Sequence, residues 1–96
     1  MLILVTYDIS TMDVSGRRRL NKVAKYCVNF GQRVQNSVFE CNLDYSQFLS
    51  FRSGLLKLIN INKDSIRIYH LGKNYHNKIE HYGAKDSYEV DGFLIV

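Results

Sequence analysis

The chain begins with an almost unbroken apolar run, Leu2 to Val5, followed by Thr6, Tyr7 and then Asp8. Such continuity over residues 2–7 predicts a central strand covered on both faces. Residues 9–15, ISTMDVS, form a loop, with Ser15 as the cap of a helix starting near Gly16. Leu20, Val23, Ala24, Cys27 and Phe30 recur with the helical period and make one apolar stripe. Gly31 is placed to stop that helix. Phe39, Cys41 and Leu43 then alternate with Val38, Glu40 and Asn42, as in a half-buried strand. Residues 33–36 are extended but polar. They form either a short separate strand or the start of one long bent strand, and Asn36-Ser37 can turn sharply. Asp44 and Gln47 have the spacing of a capping box, and Phe48, Phe51, Leu55, Leu58 and Ile59 make the buried face of a second helix. Gly54 inside it costs about 1 kcal/mol relative to Ala. After NINKD, residues 65–71 alternate again, with Ile66, Ile68 and His70 on one side and Arg67, Tyr69 and Leu71 on the other. A short strand is expected around residues 78–82. The terminal FLIV must dock in its own sheet or on a partner's edge.

The order of elements predicts an α+β domain of the βαββαβ plan, an antiparallel sheet with two helices on one face. Ninety-six residues make one domain, with a core over residues 1–72 and a C-terminal dimerisation segment over 73–96. The chain has no proline, so its turns depend on Gly, Asn, Asp and Ser. No apolar run approaches the roughly 18 residues of a membrane span, and no signal peptide is legible. No membrane partner and a cytoplasmic location are expected. Cys27 and Cys41 fit apolar positions as buried reduced thiols, without CxxC spacing. His70, His76 and His81 form no metal motif.

The net charge is +4, and residues 1–60 carry all of the excess. There Arg17, Arg18, Arg19, Lys22, Lys25, Arg33, Arg52 and Lys57 outweigh Asp8, Asp13, Glu40 and Asp44. A polyanion partner is the weak implication. Arg17, Arg18 and Arg19 stand in the first turn of the first helix, where cations oppose the helix dipole. With free backbone N–H groups they would form a phosphate site; a solvated charged face is the alternative. Asp8 follows so apolar a run that it is either exposed at the strand end, paired, or holding a cation. A metal-binding carboxylate beside phosphate-binding arginines is the equipment of phosphodiester hydrolysis. One carboxylate is a poor site for a hard cation. Two chains meeting near a twofold axis would supply two Asp8 residues, and a simple turn role for Asp8 stays open.

These residues resemble a known family. LILVTYDI, RRRLNKVAK, above all GQRVQNSVFEC, and then IRIYHLG are similar to CRISPR-associated protein two, in the form that accompanies type I-C systems. The resemblance implies a ferredoxin-like homodimer whose C-terminal strand docks on the partner. It implies a Mg²⁺- or Mn²⁺-dependent endonuclease acting on RNA or double-stranded DNA in spacer acquisition, with Asp8 as the metal ligand. By position, Asp8, Arg17, Arg19, Arg33, Ser37 and Phe39 correspond to the family's catalytic residues. Arg17, Arg18, Arg19, Lys22 and Arg33 are the nucleic-acid-binding candidates. The loop 9–15 is longer than in the shortest members. The family also implies a second role, as a non-catalytic DNA-binding scaffold that bridges two dimers of CRISPR-associated protein one, the integrase.

Several plainer alternatives stand beside these. An aromatic such as Phe39 on an alternating strand is usually core. Ser37 has no base at a telling position, which argues against a serine nucleophile. An RNA-recognition module on the same plan would show a Lys/Arg-Gly-Phe/Tyr pattern with stacking aromatics on its central strand, and SVFECNL does not.

Overall fold

A computed structural model describes residues 1–72 and 78–84. Its elements are β1 (Leu2–Asp8), α1 (Val14–Val28), β2 (Gln32–Gln35), β3 (Val38–Asn42), α2 (Tyr45–Leu58), β4 (Ser65–Leu71) and β5 (Ile79–Gly83). The strands form one sheet in the order β2-β3-β1-β4-β5, with every neighbouring pair antiparallel. The βαββαβ plan is therefore present, with β1 in the middle as its apolar run requires.

Alternation along the strands divides the sheet into two faces. Ile3, Val5 and Tyr7 of β1, Phe39 and Cys41 of β3, and Ile66 and Ile68 of β4 are buried with Val23, Cys27, Phe48, Phe51 and Leu55 of the helices. Leu2, Leu4, Thr6 and Asp8 point to the other face, over which no described helix or strand lies. Coverage of β1 on both faces, expected from its sequence, is thus met on one face only within the described chain.

The extended residues before Val38 form a separate strand. β2 and β3 are a hairpin turning at Asn36-Ser37, with Arg33 opposite Phe39, Gln35 opposite Val38 and a bulge between Arg33 and Gln35. The Asp44–Gln47 capping box forms in both directions, at 2.7 and 2.9 Å. Gly54 has a packing reason. A Cβ there would lie 2.1 Å from the Tyr26 hydroxyl oxygen, and Tyr26 stacks on Phe51 at 5.6 Å while donating to the Phe51 carbonyl. The helix propensity lost at Gly54 lets the two helices approach.

The first helix begins earlier than its sequence suggested, and Asp13, not Ser15, caps it. The Asp13 carboxylate accepts the Gly16 N–H at 2.7 Å, and Ser15 Oγ accepts from Arg19 instead. A carboxylate at the cap meets the positive end of the dipole as well as the open N–H. The helix ends at Val28, before Gly31. Cys27 and Cys41 are buried free thiols, and burial pushes them up to about 12 and about 11 respectively. The short strand expected near residues 78–82 is β5. The FLIV tail and its docking on a partner lie outside the described residues.

Candidate metal and nucleic-acid site

Asp8 is the last residue of β1, exposed, on the helix-free face. It pairs with Ser65 of β4, while Thr6 pairs with Arg67. Arg67 in turn pairs with His81 of β5, and its Nε–H donates to His81 Nδ1 at 3.1 Å. Further along the same face, Leu4, Thr6, Val34, Gln35, Val38, Tyr69 and Leu71 line a largely apolar open groove. Asp8 therefore stands at the edge of an apolar surface, with its residue exposed to solvent.

The arginines expected beside it are arranged differently. Helix α1 starts at Val14, so Arg17, Arg18 and Arg19 fall in its second turn rather than its first. The helix N-terminus already holds a carboxylate: hydrogen bonding from the Gly16 N–H keeps Asp13 below the ordinary carboxylate range. At the cap itself, therefore, a carboxylate rather than an arginine meets the Gly16 N–H. Arg17 is exposed and reaches the Thr11 carbonyl at 3.5 Å, at the weak limit of a hydrogen bond. Arg18 and Lys22 are exposed, and with Lys25 they follow i, i+4, i+7 spacing along the outer side of α1.

Arg19 turns inward. Its Nε donates to Asp64 at 2.7 Å and its Nη2 at 3.3 Å. Asp64 is 0% exposed and also accepts the backbone N–H of Ser10 at 3.0 Å and of Asn60 at 2.8 Å. Burial alone would raise the Asp64 pKa, but the Arg19 hydrogen bond and the two N–H donors outweigh it and hold it below its usual value. One carboxylate thus ties together the loop after Asp8, the second turn of α1 and the end of α2. It sits on the helix-covered side, directly before β4. Gly16 closes the same region: a Cβ there would meet the Ser10 carbonyl oxygen at 1.8 Å.

Arg33 is exposed on β2 with its guanidinium 5.2 Å from the Phe39 ring centre. Phe39 itself is 0% exposed and stacks on Tyr7 at 6.1 Å, so it is a core residue in this fold. The Ser37 carbonyl accepts the Tyr7 N–H at 3.1 Å, which anchors the hairpin turn near the end of β1. The structure thus gathers Arg33, Ser37 and Phe39 around Tyr7, and Arg19 at Asp64. Asp8 lies on the opposite side of the sheet from both Phe39 and Asp64. Asp64, Arg67 and His81 are the residues missed by sequence reasoning. Alternation did place Arg67 on the side opposite Ile66, but its relation to Asp8 needed the strand register. Nothing local distinguished Asp64 from an ordinary loop aspartate.

His70 is buried in the core, where its Nε2 lies 2.5 Å from Glu80; Arg52 and Tyr82 also donate to Glu80. Among the described residues no three His, Cys, Asp or Glu side chains converge, and no helix is long and apolar enough to cross a membrane.

The comparisons with known proteins agree with this fold. The family model described as CRISPR associated protein Cas2 matches residues 1–79. A protein of Halalkalibacterium halodurans named CRISPR-associated endonuclease Cas2 is 55% identical over 95 residues, 99% of each chain. One of Chlorobaculum tepidum named CRISPR-associated endoribonuclease Cas2 is 51% identical over 96 residues, 100% of each. The crystal structure of Streptococcus pyogenes Cas2 at pH 6.5 superposes with a TM-score of 0.71 at 50% identity, covering 83% of this chain and 96% of that one. With that family match, these identities and this shared fold, the chain belongs to the Cas2 family of CRISPR-associated proteins.

Proposed function

We propose that the protein is a homodimeric endonuclease, dependent on Mg²⁺ or Mn²⁺, that cleaves phosphodiester bonds of RNA or double-stranded DNA in CRISPR spacer acquisition, in the type I-C form. The observation that carries this is the position of Asp8 on the face of the sheet that no described helix covers, beside the groove lined by Leu4, Val38, Tyr69 and Leu71. Packing two copies by this face would bury the apolar surface and bring two Asp8 carboxylates toward one another. The endonuclease and endoribonuclease names of the relatives support a phosphodiesterase and divide on its substrate.

A carboxylate is the hard oxygen donor that Mg²⁺ and Mn²⁺ prefer. One chain supplies a single Asp8, and two chains would supply a pair, which fits a shared cation completed by water. When bound, the cation would polarise a phosphoryl oxygen or lower the pKa of an attacking water. The chain's own groups do the rest. Arg18 and Lys22, exposed on α1, attract and hold the backbone phosphates. Asp64 fixes the loop after Asp8 through the Ser10 N–H, and so holds Asp8 relative to α1.

The second role, a scaffold that binds DNA between dimers of CRISPR-associated protein one, is favoured by one observation. The Arg18, Lys22 and Lys25 row lies on the outer side of α1, away from Asp8, and can bind phosphates without the carboxylate. Metal-titrated cleavage of matched RNA and duplex DNA by wild-type and Asp8→Asn protein, with binding measured in parallel, tests both roles. Metal-dependent cleavage lost in Asp8→Asn with binding retained is the expected result. Cleavage that resists chelator, or that is equal in Asp8→Asn, would overturn the nuclease and leave the scaffold.

A further inference from the structure

Two consecutive residues hold the end of β1 from two directions. Ser65 pairs with Asp8 in the sheet. Asp64, just before it, accepts the Ser10 N–H at 3.0 Å. Between these two anchors lies Ile9, which is itself buried. Asp64 is fixed in turn. Its carboxylate accepts the Asn60 N–H at 2.8 Å, and its own N–H donates to the Asn60 carbonyl at 2.7 Å. Its carbonyl accepts the Ala84 N–H at 2.9 Å, at the end of β5. A Cβ on Gly83 would lie 2.0 Å from that carbonyl oxygen, so the backbones are in close approach there as they are at Gly16 and Ser10.

Arg19 supplies the remaining donors. Its Nε donates to Asp64 Oδ2, its Nη2 to Asp64 Oδ1, and its Nη1 to Ser15 Oγ at 3.0 Å. Each of its three nitrogens therefore donates within the chain, and its side chain is only 14% exposed. Arg17 and Arg18, its neighbours, are exposed. A guanidinium whose Nε and Nη2 both meet one buried carboxylate has turned its fork inward, away from any phosphate. Removing it would leave that carboxylate buried without a counter-charge, and the Ser10 anchor would loosen with it.

We propose that Arg19 and Asp64 are the positioning pair of the Asp8 site: acting through the Ser10 N–H, they set where the end of β1 stands, and neither touches the nucleic acid or the cation. This assignment rests on the nuclease reading of Asp8.

The test uses full-length protein at a temperature where circular dichroism shows every variant folded. The control is Arg52→Gln, which breaks a second partly buried ion pair, Arg52–Glu80 at 2.7 Å. Duplex DNA binding across a salt series and exchange of the Ser10 amide hydrogen are measured in chelator. Cleavage is measured against Mn²⁺ concentration. Arg19→Gln should keep the wild-type slope of log affinity against log salt, whereas Arg18→Gln should lower it by about one. In Arg19→Gln the Ser10 amide should exchange about tenfold faster or more. The Mn²⁺ concentration for half-maximal cleavage should rise by about tenfold or more. Arg19→Lys, which returns a donor to Asp64, should recover part of both losses. Arg19→Gln combined with Asp64→Asn should demand no more Mn²⁺ than the worse of the two alone, because the pair acts as one unit. Arg52→Gln should match wild type in Ser10 exchange and in Mn²⁺ demand.

A salt slope lowered by about one in Arg19→Gln would make Arg19 a phosphate ligand and overturn the assignment. A Mn²⁺ demand or Ser10 exchange in Arg19→Gln no different from Arg52→Gln would also overturn it, while Asp8-dependent cleavage by wild type stands. Absence of Asp8-dependent cleavage in wild type would instead overturn the nuclease reading, and the positioning role with it.

Discussion

Two aspartates flank the same end of the sheet and have opposite fates. Asp64, just before β4, is fully buried and accepts four hydrogen bonds, two from Arg19 and one each from the Ser10 and Asn60 N–H groups. Asp8, at the end of the adjacent β1, is exposed on the other face. The first carboxylate has its donors supplied by the fold, and there is no room for a ligand. The second lies where no described helix covers the sheet, beside the apolar side chains of an open groove. The difference lies in the face, since both are aspartates at strand ends. On the helix-covered face the carboxylate is spent on holding loops and helix together; on the other face Asp8 keeps its contact with solvent.

The largest effect expected from breaking this contrast is on activity. Asp8→Asn should reduce cleavage by about 100-fold or more, with a melting temperature no lower than wild type, as measured by paired cleavage and thermal unfolding. A large loss of stability would mean that Asp8 serves the fold as Asp64 does. Mixed dimers sharpen the point. A dimer of one wild-type and one Asp8→Asn chain should be largely inactive if the two carboxylates share one cation. It should keep about half the activity if each chain holds its own site.

Next in size is the open face itself. Leu4→Asp places a charge in the groove twice per dimer. At about 1.5–3 kcal/mol for each large apolar side chain buried, dimer affinity should fall at least about 100-fold. Val28→Asp, on the exposed side of α1 where Val28 is 57% exposed, should leave the mass unchanged. Sedimentation of both variants checks this, and an unchanged mass for Leu4→Asp would move the interface elsewhere.

Asp64→Ala should lower stability by on the order of 3 kcal/mol, because it strands two backbone donors and the Arg19 guanidinium at once. Chemical denaturation measures this, and a change below about 0.5 kcal/mol, the size usual for a surface site, would contradict the role given to Asp64.

The smallest effect is on acid stability. Asp64 and Glu80 both have folded pKa values held below the ordinary range; burial opposes this, and their hydrogen-bond donors prevail. A lowered folded pKa gives stability that is full above the unfolded value and is lost as pH falls through the folded one. Unfolding free energy should therefore drop on acidification below about pH 4.5. Asp64→Asn should flatten part of that drop.

The comparison also shows what periodicity can and cannot reveal. The apolar run of residues 2–5, the stripe from Leu20 to Phe30, the Asp44–Gln47 box and the alternation of residues 65–71 each specify an element, because a strand repeats every two residues and a helix every 3.6. They gave the element order, the core and the family resemblance. Asp13 and Ser15 are both good caps by residue type, and only the folded chain distinguishes them, with Asp13 accepting the Gly16 N–H and Ser15 Oγ accepting from Arg19. With the cap at Asp13 the arginines fall in the second turn and not the first.

The sequence by itself determined that Asp8 ends a central strand, that basic residues crowd the first helix, and that Arg67 alternates away from Ile66 and Ile68. Those facts are local, fixed by the identity of each residue and its nearest neighbours. Only the tertiary structure decided that Arg19 belongs to Asp64, that Phe39 is sealed in the core, and that Asp8 shares its face with Arg67 and His81. Each of these joins residues far apart in the chain, through strand register or through the packing of the helices on the sheet. Register comes from packing the whole sheet against its helices, and shifting it by one residue exchanges one face for the other.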